Sequence, residues 1–323
     1  MKPFGERLAA AMAARSHLCV GIDPHPADLA RWGLPDDPSG LVRFSEVMAQ
    51  AALDGGAAAV KPQSALFERH GSAGVAALEQ LLAHARGLGL LTILDVKRGD
   101  IGSTMAAYAQ AYLGSGSSLA ADAATFSPYL GFGSLKPALE TAWATGRGVF
   151  VLALTSNPEA PPYQRARTEA GLSVAEEVIS AATAANLRAA WSAKSETTRP
   201  NLDRSGENFA SPSAVAAPSA HKGLGSEVSQ ASTLGSIGLV VGATIAPLSK
   251  TGARLLGQFN GPILAPGIGA QGAGPKDLRR LFGGSERAVL ATSSRGIAGA
   301  GPDSKALVQA VAEAAKNVSF LGN

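Results

Sequence analysis

The side chains best suited to chemistry are concentrated in residues 95–100, which read Asp-Val-Lys-Arg-Gly-Asp. Asp95 and Lys97 stand two residues apart at the end of a predicted strand, so their side chains leave the same face of the sheet. Asp100 follows just past the strand, at the start of the next predicted helix. Two carboxylates on either side of an ammonium would keep that ammonium protonated. An ordinary salt bridge would give the same residue pattern. The position of the motif at the end of a strand is what favours a catalytic site.

Three further predicted strands are also followed by polar side chains at their ends. Asp23 closes the run at 19–23, Lys61 closes the run at 58–61, and Ser156 lies just after the run at 149–154. Each could be a solvated strand end when taken alone. A buried strand normally ends without a charge, so two charged endings at equivalent positions predict a shared ligand.

The last two predicted strands are followed by residue types that bind phosphate. Residues 266–272 form a Gly-rich turn that contains Gln271, and such a turn lets backbone N–H groups approach an anion closely. Arg295 follows the final strand, and its guanidinium can hold a phosphate through two hydrogen bonds. The glycine turn alone is a weak signal. Together with Arg295 it predicts a phosphate site. Barrels built of eight strands and eight helices commonly bind phosphate in the loops after their last two strands.

Eight short β-rich apolar runs, most of them separated by amphipathic helical stretches, must position these side chains. The runs lie at 18–22, 57–60, 90–96, 121–126, 149–154, 237–241, 262–265 and 288–291. Alternation of strands and helices predicts a parallel sheet, and eight is the number of strands that closes an α/β (β/α)8 TIM barrel. A doubly wound open sheet is the alternative.

One interval between strands is much longer than the others and contains a Ser/Ala/Pro-rich stretch at 192–232. A stretch with so few large apolar residues cannot bury enough surface to offset its ordering entropy. We expect a flexible insertion between the fifth helix and the sixth strand, on the barrel face opposite the catalytic face. Residues 1–323 then form a single domain.

The composition excludes several classes of protein. With 46% hydrophobic and 16% charged residues the chain is globular, and its net charge of +3 gives no basic stripe for nucleic acid. The single cysteine, Cys19, excludes intrachain disulfides and favours a reducing compartment. No long apolar run indicates a membrane span, and the five histidines show no metal-ligand spacing. We therefore expect a cytoplasmic protein without a metal site or a nucleic-acid partner.

Seven segments together resemble the orotidine 5′-phosphate decarboxylase family, in particular its bacterial type 2 subgroup. They are GIDPHP at 21–26, VKPQ at 60–63, LDVKRGDIGST at 94–104, SPYLGFGS at 127–134, LTSNPE at 154–159, PGIGAQG at 266–272 and SRG at 294–296. They occur in family order over nearly the whole chain, which makes the match far more specific than any single motif. The stretch at 191–232 departs from the family by its length.

The resemblance implies a cofactor-free decarboxylation of orotidine 5′-phosphate to UMP in pyrimidine biosynthesis. In this reading Asp95 lies beside the scissile carboxylate, and Lys97 delivers a proton to C6 of the pyrimidine. Asp100, Ile101 and Thr104 would reach into the site of a neighbouring subunit, so the active form would be a homodimer with shared sites.

The same resemblance assigns the substrate contacts. Asp23 and Lys61 would contact the ribose hydroxyls, and Ser156 would contact the pyrimidine base. Gln271 and Arg295 would hold the 5′-phosphate. Loss of CO2 from C6 leaves a carbanion with no conjugated sink, and the sequence has no pyridoxal or thiamine signature. Stabilisation must then come from preorganised charges.

Two alternatives stay open from the sequence. A sugar-phosphate lyase of the same superfamily, such as a 3-hexulose-6-phosphate synthase, also carries D-x-K-x-x-D but uses magnesium, and the LTSNPE segment, suited to a base, argues against it. A nucleotide-binding barrel that has lost catalysis, or serves as an interaction module, is the non-enzyme reading. Asp95, Lys97 and Asp100 are all present, which disfavours it.

Overall fold

Eight parallel strands pair in chain order, and the last strand pairs back with the first to close a barrel. The structure is a computed structural model that describes residues 1–197, 234–267 and 274–322. The strands are β1 (Leu18–Ile22), β2 (Ala59–Pro62), β3 (Leu91–Arg98), β4 (Ala123–Phe126), β5 (Gly148–Leu154), β6 (Ile237–Val241), β7 (Ile263–Ala265) and β8 (Val289–Ser293). Each falls on one of the predicted apolar runs. The predicted (β/α)8 barrel is confirmed, and the doubly wound open sheet is wrong.

Helices alternate with these strands around the outside of the barrel. Those described are α1 (Phe4–Ala14), α2 (Pro26–Arg31), α3 (Pro38–Asp54), α4 (Ala65–Glu68), α5 (Gly71–Gly87), α6 (Gly102–Leu113), α7 (Lys136–Thr145), α8 (Pro161–Gln164), α9 (Val174–Thr197), α10 (Lys250–Gly257), α11 (Pro275–Phe282), α12 (Arg295–Ala298) and α13 (Ser304–Asn317). Some of these helices begin at a side chain that caps the first turn. Asp37, for example, accepts hydrogen bonds from the backbone N–H groups of Ser39 and Gly40 at the start of α3.

The interior of the barrel is filled by side chains and closed at its N-terminal end by α1. Phe4 of α1 packs edge-on against Phe150 of β5, with 5.9 Å between the ring centroids. Gly148 makes this approach possible, because a Cβ at that position would lie 2.2 Å from the Phe4 ring. A second and larger apolar layer, with Phe44, Phe126 and others, lies between the strands and the surrounding helices. In the described residues, α1 therefore covers the N-terminal end of the barrel interior.

The predicted insertion begins inside a helix. Helix α9 continues to Thr197, so the first six residues of the 192–232 stretch are helical rather than irregular. The rest of the stretch lies outside the described residues. No helix in the described ranges is both long and apolar enough to cross a membrane.

Candidate active site

One buried carboxylate, that of Asp95 near the C-terminal end of β3, is the centre of the site. Its Oδ1 accepts hydrogen bonds from Lys97 Nζ at 2.6 Å and from Thr125 Oγ1 at 2.9 Å. Its Oδ2 accepts from Lys61 Nζ at 2.9 Å and from Gln63 Nε2 at 3.1 Å. An ionised carboxylate offers about four acceptor positions. All four are filled, and the carboxylate is held from both sides.

The charges of this cluster stabilise one another in spite of burial. Burial raises the pKa of Asp95, but the ammonium groups of Lys61 and Lys97 outweigh it and hold that pKa well below its ordinary value. Burial likewise lowers the pKa of Lys61, but Asp95 and Asp23 raise it above its ordinary value. Asp95 is therefore ionised and Lys61 protonated at neutral pH. The Cys19 thiol nearby has its pKa raised by burial to about 12 and belongs to the barrel core.

Lys97 combines a fixed backbone with an open side chain. Its φ is +45°, in the left-handed region that residues other than glycine rarely adopt. About half of its side chain is exposed, whereas the side chains of Lys61 and Asp95 are nearly covered. Within one chain, Asp95 is thus bracketed by two ammonium groups, and Lys97 contacts one of the two carboxylates predicted to flank it. Lys97 is the cation of this pair that faces the mouth of the barrel.

Asp23 follows β1 at the same end of the barrel and carries an unused acceptor. Its Oδ1 is buried, and no group in the described ranges donates a hydrogen bond to it. The neighbouring Gly21 leaves room for Ser294, since a Cβ at that glycine would lie 2.6 Å from Ser294 Cβ. A buried carboxylate oxygen without a donor is costly unless a ligand supplies one. A hydroxyl-bearing ligand could do so.

Asp100, Ile101 and Thr104 stand apart from this cluster within one chain. Asp100 Oδ1 accepts the backbone N–H of Ile101 at 2.8 Å, and no salt bridge joins it to Lys97. Both residues that accompany it are exposed, and 61% of the Ile101 surface is accessible. The three residues lie at the rim, around the start of α6. Within one chain, no hydrogen bond or salt bridge joins any of the three to Asp95.

The remaining predicted site residues follow β5, β7 and β8. Ser156 is exposed just past β5 and lies against Gly242, which follows β6. Arg295 is exposed and opens α12 directly after β8. The turn after β7 begins at Gly267 with a φ of +102°. Gln271, further along the chain, lies outside the described residues.

Two residues of the cluster, Gln63 and Thr125, were not singled out from the sequence. Gln63 ends the VKPQ segment at 60–63, and its amide reaches the carboxylate from the strand next to β3. Thr125 is the one polar residue of β4, and its side chain is fully buried. A lone hydroxyl in a short buried strand was the signal available for Thr125, because such groups are normally hydrogen-bonded.

The comparisons with known proteins agree with this geometry. The family described as Orotidine 5′-phosphate decarboxylase / HUMPS matches residues 16–310 of the chain. The chain belongs to this family. Curated members named orotidine 5′-phosphate decarboxylase include one from Salinispora arenicola, 49% identical over 95% of this chain and 94% of that protein. Another, from Streptomyces coelicolor, is 47% identical over the same shares of the two chains.

A solved structure of a relative supports the same fold. A crystal structure of a protein from Streptomyces avermitilis is 45% identical and covers all of this chain and 96% of its own, with a TM-score of 0.81. These relatives are bacterial, in agreement with the bacterial subgroup of the orotidine 5′-phosphate decarboxylase family that the sequence motifs resemble.

Proposed function

We propose that the chain is an orotidine 5′-phosphate decarboxylase, which converts orotidine 5′-phosphate to UMP in pyrimidine biosynthesis without a cofactor. The observation that carries this proposal is the Lys61–Asp95–Lys97 array at the open end of the barrel. It stands in a chain about half identical to curated proteins of that name. The single buried cysteine is consistent with a reducing compartment, and we propose the cytoplasm as its location.

The array supplies what this decarboxylation needs. When CO2 leaves C6, the electron pair stays on that carbon, and a fixed cation beside it lowers the energy of the carbanion. Lys97 has three N–H donors and uses one on Asp95, so its open ammonium can stabilise the carbanion and then transfer a proton to C6. Asp95 fixes the direction of that ammonium. Lys61 is buried against the other carboxylate oxygen and holds Asp95 ionised.

Contacts remote from C6 would bind and orient the nucleotide. We assign the ribose hydroxyls to Asp23 and Lys61, which agrees with the unused Oδ1 of Asp23. We assign the 5′-phosphate to Gln271 and Arg295, and the base to Ser156. Arg295 forms no salt bridge within the described ranges, and it stands after the strand where these barrels bind phosphate. Such binding energy positions C6 against Lys97.

We further propose that two copies of the chain form a homodimer with shared sites. Asp100, Ile101 and Thr104 are exposed or partly exposed at the rim, and Asp100 is not paired with Lys97 of its own chain. An exposed isoleucine beside an aspartate suits a contact with a second copy better than contact with water. In the dimer Asp100 would stand beside the partner's array.

The direct test of the reaction uses the purified full chain, orotidine 5′-phosphate and EDTA. The pyrimidine absorbance should change as UMP forms, at a rate that EDTA leaves unchanged. An unchanged substrate signal would contradict the proposed function. Turnover that stops with EDTA and returns with magnesium would contradict the cofactor-free reaction. Release of formaldehyde from a hexulose 6-phosphate would instead assign the chain to the sugar-phosphate branch.

The shared site is tested by mixing two variants, Lys97→Ala and Asp100→Asn, under conditions that exchange subunits. Each homodimer should be badly impaired. In the mixed dimer both defects fall in one site, so the other site is intact and activity should recover to as much as half the wild-type level. Absence of recovery in a sample that contains heterodimers by native mass spectrometry would contradict the shared site.

A further inference from the structure

Strands β3 and β4 do not match residue for residue beside the catalytic cluster. Leu94 pairs with Ala124, and the next pair along is Arg98 with Phe126. Three residues of β3, 95–97, therefore stand opposite the single residue Thr125. A bulge of this kind leaves backbone N–H groups without partners in the ladder. In a buried position each of those groups needs another acceptor.

The hydroxyl of Thr125 supplies that acceptor twice. Its Oγ1 accepts the N–H of Val96 at 3.1 Å and the N–H of Lys97 at 3.0 Å, and it donates to Asp95 Oδ1 at 2.9 Å. A hydroxyl has one donor and two acceptor positions. All three are used, and all three go to the residues of the bulge. Because both amides must donate, the hydroxyl proton must point at the carboxylate of Asp95.

From this geometry we infer that Thr125 is a positioning residue for the reaction, and the inference rests on the proposed decarboxylation. Its hydroxyl fixes the Asp95 carboxylate and the left-handed backbone of Lys97 in one step. A non-glycine residue keeps a positive φ only where its surroundings enforce it. The Thr125 hydroxyl is the acceptor that holds the Lys97 amide in that conformation and so directs the Lys97 side chain back to Asp95.

The two sides of the carboxylate have separate supports. Lys61 and Gln63, both from the β2 side, hold Oδ2, whereas Thr125 and Lys97 hold Oδ1. Loss of the Thr125 hydroxyl therefore leaves Asp95 ionised and still attached through Oδ2. The amides of Val96 and Lys97 lose their acceptor, and the Lys97 backbone is free to leave its positive φ. We expect the Lys97 ammonium to move away from its position beside C6 of the pyrimidine, while the ribose and phosphate contacts stay intact.

The test compares Thr125→Val, which keeps the size and removes the hydroxyl, with Thr125→Ser, which keeps the hydroxyl. Thr92→Val is the matched control. Thr92 is also buried on a barrel strand, and its hydroxyl also bridges an aspartate side chain and a backbone N–H, but at the other end of β3. Thr125→Val should lower kcat about 100-fold or more, since displacement by ~1 Å has an effect of that size. KM and the Kd for UMP should change less than about threefold.

Thr125→Ser should recover kcat to within about fivefold of the wild type, and Thr92→Val should lower Tm while its kcat stays normal. A near-normal kcat in Thr125→Val, or a serine variant as slow as the valine variant, would overturn the inference. An equal loss of kcat in Thr92→Val would show that the loss comes from general destabilisation, and it would also overturn the inference. Circular dichroism verifies folding, and Thr125→Ala repeats the comparison if the valine variant does not fold.

A crystal structure of Thr125→Val separates this inference from the proposed function. If the wild-type chain leaves orotidine 5′-phosphate unchanged, the proposed function fails whatever Thr125 does. The positioning geometry is then judged by the position of Lys97. We expect a negative φ at Lys97 and an Nζ that has moved away from Asp95. A Lys97 that keeps its positive φ and its contact with Asp95 without the hydroxyl would contradict the inference.

Discussion

The two ends of the barrel each carry a carboxylate that is bound by a cation and a threonine hydroxyl. At the N-terminal end, Asp122 pairs with Arg7 of α1, and its Oδ2 accepts the N–H and the hydroxyl of Thr92. At the C-terminal end, Asp95 pairs with Lys61 and Lys97 and accepts the hydroxyl of Thr125. The residue types are similar, and both clusters use strand β3. Their surroundings differ, and the difference separates a network used within the fold from one that is open to a ligand.

The N-terminal network is closed. The Arg7 guanidinium also donates to the backbone carbonyls of Gly146 and Lys2, and it lies over the Phe4 ring. These contacts attach α1 to the barrel, and Phe4 beside them packs into the apolar barrel interior. In the C-terminal network, by contrast, Lys97 has spare N–H donors and half its side chain exposed. The ammonium bound to Asp95 keeps unused N–H donors on its exposed side, whereas the guanidinium bound to Asp122 uses donors on all three of its nitrogens within the fold.

The largest effect should come from removing the cation on the open side. Lys97→Ala should lower kcat by at least ~10³-fold, because it removes both the charge beside C6 and the proton donor. UMP should still bind, since its ribose and phosphate contacts lie elsewhere. Arg7→Ala, the matched change in the closed network, should leave kcat within about threefold and lower Tm. Stopped-flow or single-turnover decarboxylation and calorimetric binding of UMP measure the two quantities. A fast Lys97→Ala enzyme would show that another group donates the proton.

A smaller effect is expected at Arg295, which lies at the same end but outside the Asp95 cluster. Arg295→Ala should weaken UMP binding by about 30-fold, the equivalent of ~2 kcal/mol for a charge-assisted hydrogen bond to phosphate. Binding of uridine, which lacks the phosphate, should be unchanged. Titration calorimetry with UMP and with uridine gives the ratio of variant to wild-type Kd for each ligand. Equal losses for UMP and uridine would place the phosphate elsewhere.

The smallest effect is a difference in acid sensitivity. The pKa of Asp95 in the folded chain lies below its ordinary value of 3.8, so its ionic contacts stabilise the fold above that pH and are lost as the pH falls further. The free energies of unfolding of wild type and Asp95→Asn should therefore differ by a constant amount from about pH 8 to 5, and the difference should narrow below about pH 4. Urea unfolding across this range measures it. A difference that is already narrowing near pH 6 would contradict the low pKa of Asp95.

Much of this architecture could be predicted from the sequence, because apolar runs and alternation with helices are local signals. All eight strands lie where the runs predicted them, and Asp23, Lys61 and Asp95 do reach one end of the barrel. The Asp95 carboxylate in the middle of two ammonium groups was not predicted, because Lys61 and Asp95 are 34 residues apart and meet only through strand pairing.

Two other features were not predicted, for a similar physical reason. They are the bulge opposite Thr125 and the salt bridge between Arg7 and Asp122. The register of β3 on β4 is set by the closure of the whole barrel, and no pattern within either strand encodes it. Arg7 and Asp122 are 115 residues apart. The role proposed for Asp100 requires a second copy of the chain, which the structure of one folded chain does not contain.

The most direct test of the contrast between the two carboxylates is to make the same substitution at both and measure kcat and stability together. Asp95→Asn should lower kcat by at least ~10³-fold, since it removes the charge that directs Lys97. Asp122→Asn should leave kcat within about threefold and lower the free energy of unfolding by about 1–2 kcal/mol, as its contacts with Arg7 and Thr92 weaken. A slow but stable Asp122→Asn enzyme, or an Asp95→Asn enzyme with near-normal kcat, would contradict the account.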